Sequence, residues 1–336
     1  MKILVTGGCG FIGSNFVRYM LEAHSDYSVI NFDKLTYAGN PENLEDVEDR
    51  PRYRFVKGDI CDRRAVDKAI REHSVEVIIN FAAETHVDRS IVGPSVFIQS
   101  NVVGTNVLLE AAKEAGVRRF IQISTDEVYG SLGTSGKFSE TTPPHPNSPY
   151  AVSKAAADML AMSYYHTFGL PVIVTRSSNN YGPFQFPEKL IPLMIANAID
   201  GKPLPVYGDG LNVRDWLYVK DHCVAVDIVL HRGMVGETYN IGGDNEWKNI
   251  DIVKLLLQKL AKPESLIAYV KDRPGHDRRY SIDASKIMRE LDWKPSVTFE
   301  QGLSETIYWY LTHEEWLRHI LNGEYKEYYK KMYEQR

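Results

Sequence analysis

Between the strand-like run Lys2 to Thr6 and a helical stretch from Gly13 to about Ala23 lies Thr6-Gly7-Gly8-Cys9-Gly10-Phe11-Ile12-Gly13, with glycines in the spacing G-x-x-G-x-x-G. A chain turns that tightly from strand into helix only where no Cβ intrudes. The turn then brings backbone N–H groups and a positive helix end to an anion such as a pyrophosphate. Asp33 stands about 20 residues further on, just past a second strand-like run, Ser28 to Phe32, where a carboxylate can bind both ribose hydroxyls of a dinucleotide. The pattern predicts a cofactor held by Gly7, Gly10, Phe11, Ile12, Gly13 and Asp33, with Lys34, Leu35 and Thr36 beside the ribose. The carboxylate would repel a 2′-phosphate and so favours NAD, while the neighbouring Lys34 keeps NADP open.

The first half continues as alternating short strands and longer helices, the mark of βαβ units in a parallel sheet. Strands are expected at Tyr53 to Val56, Val75 to Phe81, Arg119 to Ser124 and Pro171 to Arg176. Helices are expected from an Asp62 cap to about His73, from about Val96 to Ala115, and from Tyr150 to Phe168. After Tyr181 glycine and proline become frequent, and patterns at Glu237 to Ile241 and Ile250 to Leu260 return to regular structure. The reading is α/β: a Rossmann-type doubly wound parallel sheet over residues 1–180, and a smaller C-terminal substrate-binding lobe over 181–336 with some segments returning to the main sheet. Glu314 to Arg336, rich in Tyr, Glu and Lys, reads as a solvated C-terminal helix.

Bulk properties exclude several classes. A net charge of −5 over 336 residues offers no basic stripe for nucleic acid. No apolar run approaches the ~20 residues needed to cross a bilayer. The three scattered cysteines, Cys9, Cys61 and Cys223, suggest neither a disulfide framework nor metal spacing. A start directly on a strand leaves no room for a signal peptide, so a cytoplasmic location is expected. The histidines form no H-E-x-x-H or comparable cluster, so no metal is expected.

Chemistry concentrates in Ser124-Thr125-Asp126-Glu127, at the end of one strand, and in Tyr150-x-x-x-Lys154. Tyr and Lys spaced i,i+4 share a helix face, where an ammonium would favour the phenolate of a proton acceptor. Alcohol oxidation needs one base; two further carboxyl groups suggest a second reaction that adds or removes water. After the strands, Asp59-Ile60 and Phe81-Ala82-Ala83-Glu84-Thr85 occupy the strand ends where ligands of such sheets bind.

Tyr150-x-x-x-Lys154 with the Ser124-Thr125 turn resembles the short-chain dehydrogenase/reductase superfamily in its extended branch, over nearly the whole chain. Three further runs narrow the likeness: Phe81 to Ser90, Arg176-Ser177-Ser178-Asn179-Asn180-Tyr181-Gly182-Pro183, and Asp272-Arg273-Pro274-Gly275-His276-Asp277. With the acidic pair, they are closely similar to the dTDP-glucose 4,6-dehydratase family; Thr85 stands where Ser is usual. The resemblance implies that Thr125 holds the substrate hydroxyl, Tyr150 removes its proton, and Lys154 also binds the nicotinamide ribose. It implies that Glu127 takes the C5 proton and Asp126 protonates the departing 6-hydroxyl. Asp59, Ile60, Phe81, Ala82, Ala83, Glu84 and Asn179 join the cofactor set. A dTDP-glucose substrate would meet Thr85, Asn179, Lys189, Leu190, Pro205, Val206, Tyr207, Arg214, Asn249, Arg273 and His276. The resemblance also implies a homodimer through the two long helices. A nucleotide-sugar 4-epimerase, a dehydratase of a GDP- or CDP-sugar, and a non-catalytic NAD-binding regulator remain as alternatives.

Overall fold

A computed structural model describes residues 1–321. Seven parallel strands form the main sheet: β1 (Lys2–Thr6), β2 (Ser28–Asp33), β3 (Tyr53–Lys57), β4 (Val77–Asn80), β5 (Arg119–Thr125), β6 (Val172–Ser177) and a strand from the second half, Thr238–Ile241. Their spatial order runs from Thr238–Ile241 through β6, β5, β4, β1 and β2 to β3. The direction of winding reverses between β1 and β4, and the crevice at such a reversal is where ligands of open α/β sheets bind.

The strands are apolar on both faces because both are covered. Ile3, Val5, Val77, Ile79, Ile121 and Ile173 pack in one core with the helices Phe11–Ala23 and Val219–Arg232. Leu4, Ile30, Phe32, Ile78, Phe120 and Val172 pack in another with the helices Arg63–His73, Thr105–Ala115 and Pro149–Phe168. A third core gathers Tyr181, Trp216, Leu256, Phe299 and Tyr310 from the second half. There a three-stranded sheet of Glu246–Lys248, Val213–Tyr218 and Asn179–Tyr181 lies beside a parallel pair, Leu204–Tyr207 with Ile267–Val270.

Three expectations need amendment. The strand expected over Val75 to Phe81 is confined to Val77–Asn80, because the Val75 N–H closes the preceding helix on the Ile70 carbonyl. The long helix near Val96 to Ala115 begins at Pro94 and passes through π-helical turns at Ile98–Gly104. Those turns carry Asn101, which accepts from Glu84 N (2.8 Å) and donates to Glu84 O (2.9 Å) and Ser153 Oγ (2.8 Å). The expected solvated tail starts as a helix, Glu314–Ile320, with Trp316 and Leu317 buried and Trp316 Nε1 donating to Asn43 Oδ1. The rest of that expectation, over 322–336, lies outside the described residues.

A buried polar ladder ties the middle of the sheet to the crevice. The Thr6 hydroxyl donates to Asn80 Oδ1 (2.6 Å), and Asn80 Nδ2 donates to Gln122 Oε1 (2.9 Å) and Thr105 Oγ1 (3.3 Å). Thr6 Oγ1 in turn accepts from the Ala82 N–H. Asn80→Val should therefore leave Thr6 and Gln122 unsatisfied and cost ~2–4 kcal/mol. The expected result is a lower urea midpoint with weakened NAD affinity; parental stability and affinity would show that the ladder holds neither sheet nor loop.

Candidate active site

The glycine turn explains the shape of the crevice. Gly7 has φ +69°, and a Cβ there would lie 2.7 Å from Ala82 N, so the turn after β1 and the loop after β4 nearly touch. A Cβ on Gly13 would lie 2.2 Å from the Gly7 carbonyl. The Phe11–Ala23 helix starts on Gly10 with no side-chain cap and no acidic residue in its first turn, leaving its first N–H groups to an anion. This cradle, which any side chain would fill, fits a dinucleotide pyrophosphate.

Asp33 ends β2 and is buried, with Oδ2 accepting from Cys9 N (2.9 Å) and Oδ1 from Leu35 N (2.8 Å). Burial raises its pKa and those two N–H groups oppose the rise. Lys34 is turned to Asp59 at 2.7 Å, so the cation that kept NADP open is already neutralised by a carboxylate. Leu35 departs from expectation: its side chain packs on the core at a φ of +59°, it does not line the cavity, and only its N–H serves Asp33.

A single continuous cavity of about 390 Å³ connects this cradle with the ends of β4 and β5 and with the second half of the chain. Apart from Leu35, every residue expected to touch cofactor or substrate lines it. Thr125 caps the short turn Asp126–Tyr129, its Oγ1 accepting from Glu127 N (3.2 Å). Asp126 is 1% exposed, and its Oδ2 has no hydrogen-bond partner among the described residues. Its pKa is pushed well above the carboxylate range by burial, then by Glu127 and Asp215. Burial raises the Glu127 pKa too, but Lys189, Arg273 and Arg214 pull it back. Both carboxyl groups are thus raised, Asp126 the more strongly, which makes Asp126 the better acid and Glu127 the better base of the two.

The Tyr150 phenol behaves otherwise than its spacing from Lys154 suggested. Burial raises its pKa, Glu127 raises it further, and a hydrogen bond with Thr125 opposes both. Lys154 donates instead to the Ile123 carbonyl at 2.6 Å, and burial takes its ammonium down to about 8 while Asp158 acts against that fall. Asp158 in turn pairs with Arg176 (2.9 Å), which donates to Tyr129 OH.

The cations of the other wall are held by backbone oxygens and neighbouring side chains. Lys189 Nζ donates to Thr85 O (2.9 Å); Arg214 donates to Asp277 O (2.8 Å) and lies over the Tyr280 ring. His276 Nδ1 donates to Asp272 at 2.6 Å, yet burial, Arg273 and Arg214 bring its pKa down to about 4, so the ring is neutral.

Sequence reasoning missed Asn101, Glu188 and Tyr280. Glu188 is buried, accepting from Tyr37 OH (3.0 Å) and pairing with Arg89 (3.1 Å). Tyr280 donates to Asp277 and lines the cavity. Their one available signal was adjacency to Lys189 and to the Asp272–Asp277 run. A separate grouping also escaped notice: His24 Nε2 and His231 Nδ1 both approach the Asp227 carboxylate, at 3.0 and 3.1 Å. None of the three lines the cavity. His24 is separated from Asp227 by 203 positions, so no local spacing announced the cluster.

The comparisons agree with this geometry. A "dTDP-glucose 4,6-dehydratase" of Xanthomonas campestris pv. campestris (strain B100) is 56% identical over 96% of this chain and 97% of its own. A crystal structure of dTDP-glucose 4,6-dehydratase from Streptomyces venezuelae, with NAD and TYD bound, superposes with a TM-score of 0.93 at 50% identity, covering 95% of this chain and 100% of that one. A UDP-glucose 4-epimerase from Thermotoga maritima reaches a TM-score of 0.87 at 32% identity, over 93% and 99% of the two chains. The model of the GDP-mannose 4,6 dehydratase family matches residues 4–306, and the chain belongs to that family.

Proposed function

We propose that this protein is an NAD-dependent dTDP-glucose 4,6-dehydratase, converting dTDP-glucose to dTDP-4-keto-6-deoxyglucose and water. The observation that carries the reading is the adjacent pair of buried Asp126 and half-buried Glu127, beside Thr125 and Tyr150, in one cavity with the dinucleotide cradle. A 4-epimerase needs hydride transfer and one base; it has no use for an acid and a base pushed toward different protonation states. Relatives named dTDP-glucose 4,6-dehydratase at 50–56% identity support the same choice.

NAD, held by the turn of Gly7, Gly10 and Gly13 and by Asp33, would supply a reversible hydride acceptor, and its oxidised ring would add a positive charge that favours the Tyr150 phenolate. Thr125 positions the sugar 4-hydroxyl, and Tyr150 takes its proton. The 4-ketone acidifies C5–H, and Glu127 removes that proton. Asp126 gives its proton to the 6-hydroxyl, which leaves as water. Glu127 exchanges its proton with solvent and returns one to C5. Tyr150 ends with one proton more and Asp126 with one fewer, so solvent need only restore the balance between them.

Lys189, Arg214 and Arg273 give this wall the cations a diphosphate needs, and the planar guanidinium suits paired phosphate oxygens. Residues 1–180 carry the cofactor and the acid/base groups, while most of 181–336 forms the sugar-nucleotide side. We also assign the protein to the cytoplasm, in keeping with its free cysteines, and to a homodimer. Val96, Val103, Val152 and Met159 are 40–57% exposed on the two helical segments and give a second copy an apolar face to cover.

Two outcomes test the acid/base roles. Tyr150→Phe should lower the rate at which bound NAD is reduced on adding dTDP-glucose by ~10²-fold or more, with substrate affinity retained; an unaltered rate would remove the phenol from the oxidation step. Elimination should follow a bell-shaped pH profile whose two limbs belong to the coupled pair. It fails at low pH as Glu127 protonates and at high pH as Asp126 ionises, with both limbs raised from the groups' ordinary values and that of Asp126 raised the more. Asp126→Asn with Glu127→Gln should let NADH form and accumulate without loss of water; keto-deoxy sugar at the parental rate would remove the acidic pair from the elimination step.

A further inference from the structure

The motif His86-Val87-Asp88-Arg89-Ser90 contributes no acid, base or cofactor contact to the reaction as described, yet its polar side chains are buried under the sugar-nucleotide side of the cavity. Asp88 is 2% exposed. Its Oδ2 accepts from the Tyr207 hydroxyl at 3.1 Å, and its Oδ1 faces Arg273 Nη1 at 3.4 Å. These partners come from different segments: Tyr207 ends the strand Leu204–Tyr207, and Arg273 stands on the loop that follows its parallel neighbour Ile267–Val270. The register pairs Val270 with Tyr207, so the loop carrying Arg273 departs from beside Tyr207. Asp88 meets both from the short helix Val87–Val92 of the first half.

We propose that Asp88 is the positioning residue for the substrate's diphosphate, fixing Arg273 and Tyr207 in the places they need before substrate arrives; this rests on the function proposed above. Arg273 is a long side chain with many rotamers, and ordering it only on binding would subtract from affinity. Asp88 takes the Nη1 edge, while the buried Arg273 Nε has no protein partner among the described residues. The guanidinium is held by one edge and offers another to a phosphate oxygen. The same turn braces its surroundings: His86 Nε2 donates to Glu188 O (3.3 Å), Arg89 pairs with the Glu188 carboxylate, and the Thr85 carbonyl holds Lys189 Nζ. Asp88 is the member of the motif that reaches both Tyr207 and Arg273.

The test uses the NAD-loaded enzyme. Asp88→Asn keeps an acceptor for the Tyr207 hydroxyl and removes the charge facing Arg273. It should raise KM for dTDP-glucose about tenfold or more, leave kcat within about threefold, and leave bound NAD and the melting temperature unaltered. Arg273→Lys should raise KM comparably, and the double variant should add little to the larger single effect because both act through one contact. Tyr207→Phe removes the other contact without touching a charge, should raise KM several-fold, and stands in if Asp88→Asn folds poorly. A parental KM in Asp88→Asn, a loss confined to kcat, or fully multiplicative effects in the double variant would overturn the role. An unmodified enzyme that converts no dTDP-glucose would contradict the functional reading instead. The affinity of the same variants for thymidine diphosphate, measured by calorimetry, then decides Asp88 separately: about tenfold weaker binding upholds its role and parental binding ends it.

Discussion

Two carboxyl groups adjacent in sequence, one buried and the other half-buried, do not both ionise without a desolvation and repulsion cost. Asp126 and Glu127 are placed in that position by the turn that ends β5, and the rest of the cavity decides which of them gives way. Asp126 is buried, its Oδ2 has no partner among the described residues, and burial drives it toward the acid form. Glu127 looks toward Lys189, Arg273 and Arg214, and their charges restrain its rise. The cations of the sugar-nucleotide wall therefore act twice: they suit a diphosphate, and they divide acid from base within the pair.

Burial lifts the Tyr150 phenol and depresses the Lys154 ammonium, and Lys154 is committed to the Ile123 carbonyl. Lys154 therefore stays largely an ammonium at neutral pH, while the phenol is not drawn to its phenolate by Lys154 alone. A cationic nicotinamide ring would change that balance, so the base is made ready by the cofactor that also accepts the hydride. Oxidation is then linked to occupancy of the cradle formed by Gly7, Gly10 and Gly13.

Much of this was legible in the chain. The glycine turn, Asp33, the strand-and-helix alternation and the acidic pair are local patterns, and local patterns survive in one dimension. The i,i+4 spacing of Tyr150 and Lys154 correctly set them on one helix, but what Lys154 bonds depends on β5, which spacing does not encode. The direction of the Leu35 side chain was not legible either: it packs on the core and leaves its N–H to Asp33. The π turns near Asn101, the bracing of Glu188 by Tyr37 and Arg89, and the Asp88 contacts all join segments far apart in sequence. Nothing in the residues themselves distinguishes such partners from ordinary surface charges.

In the function proposed above, one cavity performs oxidation, elimination and reduction on a single bound sugar, and the cofactor is restored within each turnover. Conversion of dTDP-glucose deuterated at C4, followed by NMR or mass spectrometry of the product, tests this most directly. The account predicts that deuterium appears in the C6 methyl group of the same molecule, without added NADH and without exchange into water, while C5 acquires a solvent proton. Deuterium lost to solvent, or retained at C4 of an epimerised sugar, would contradict it.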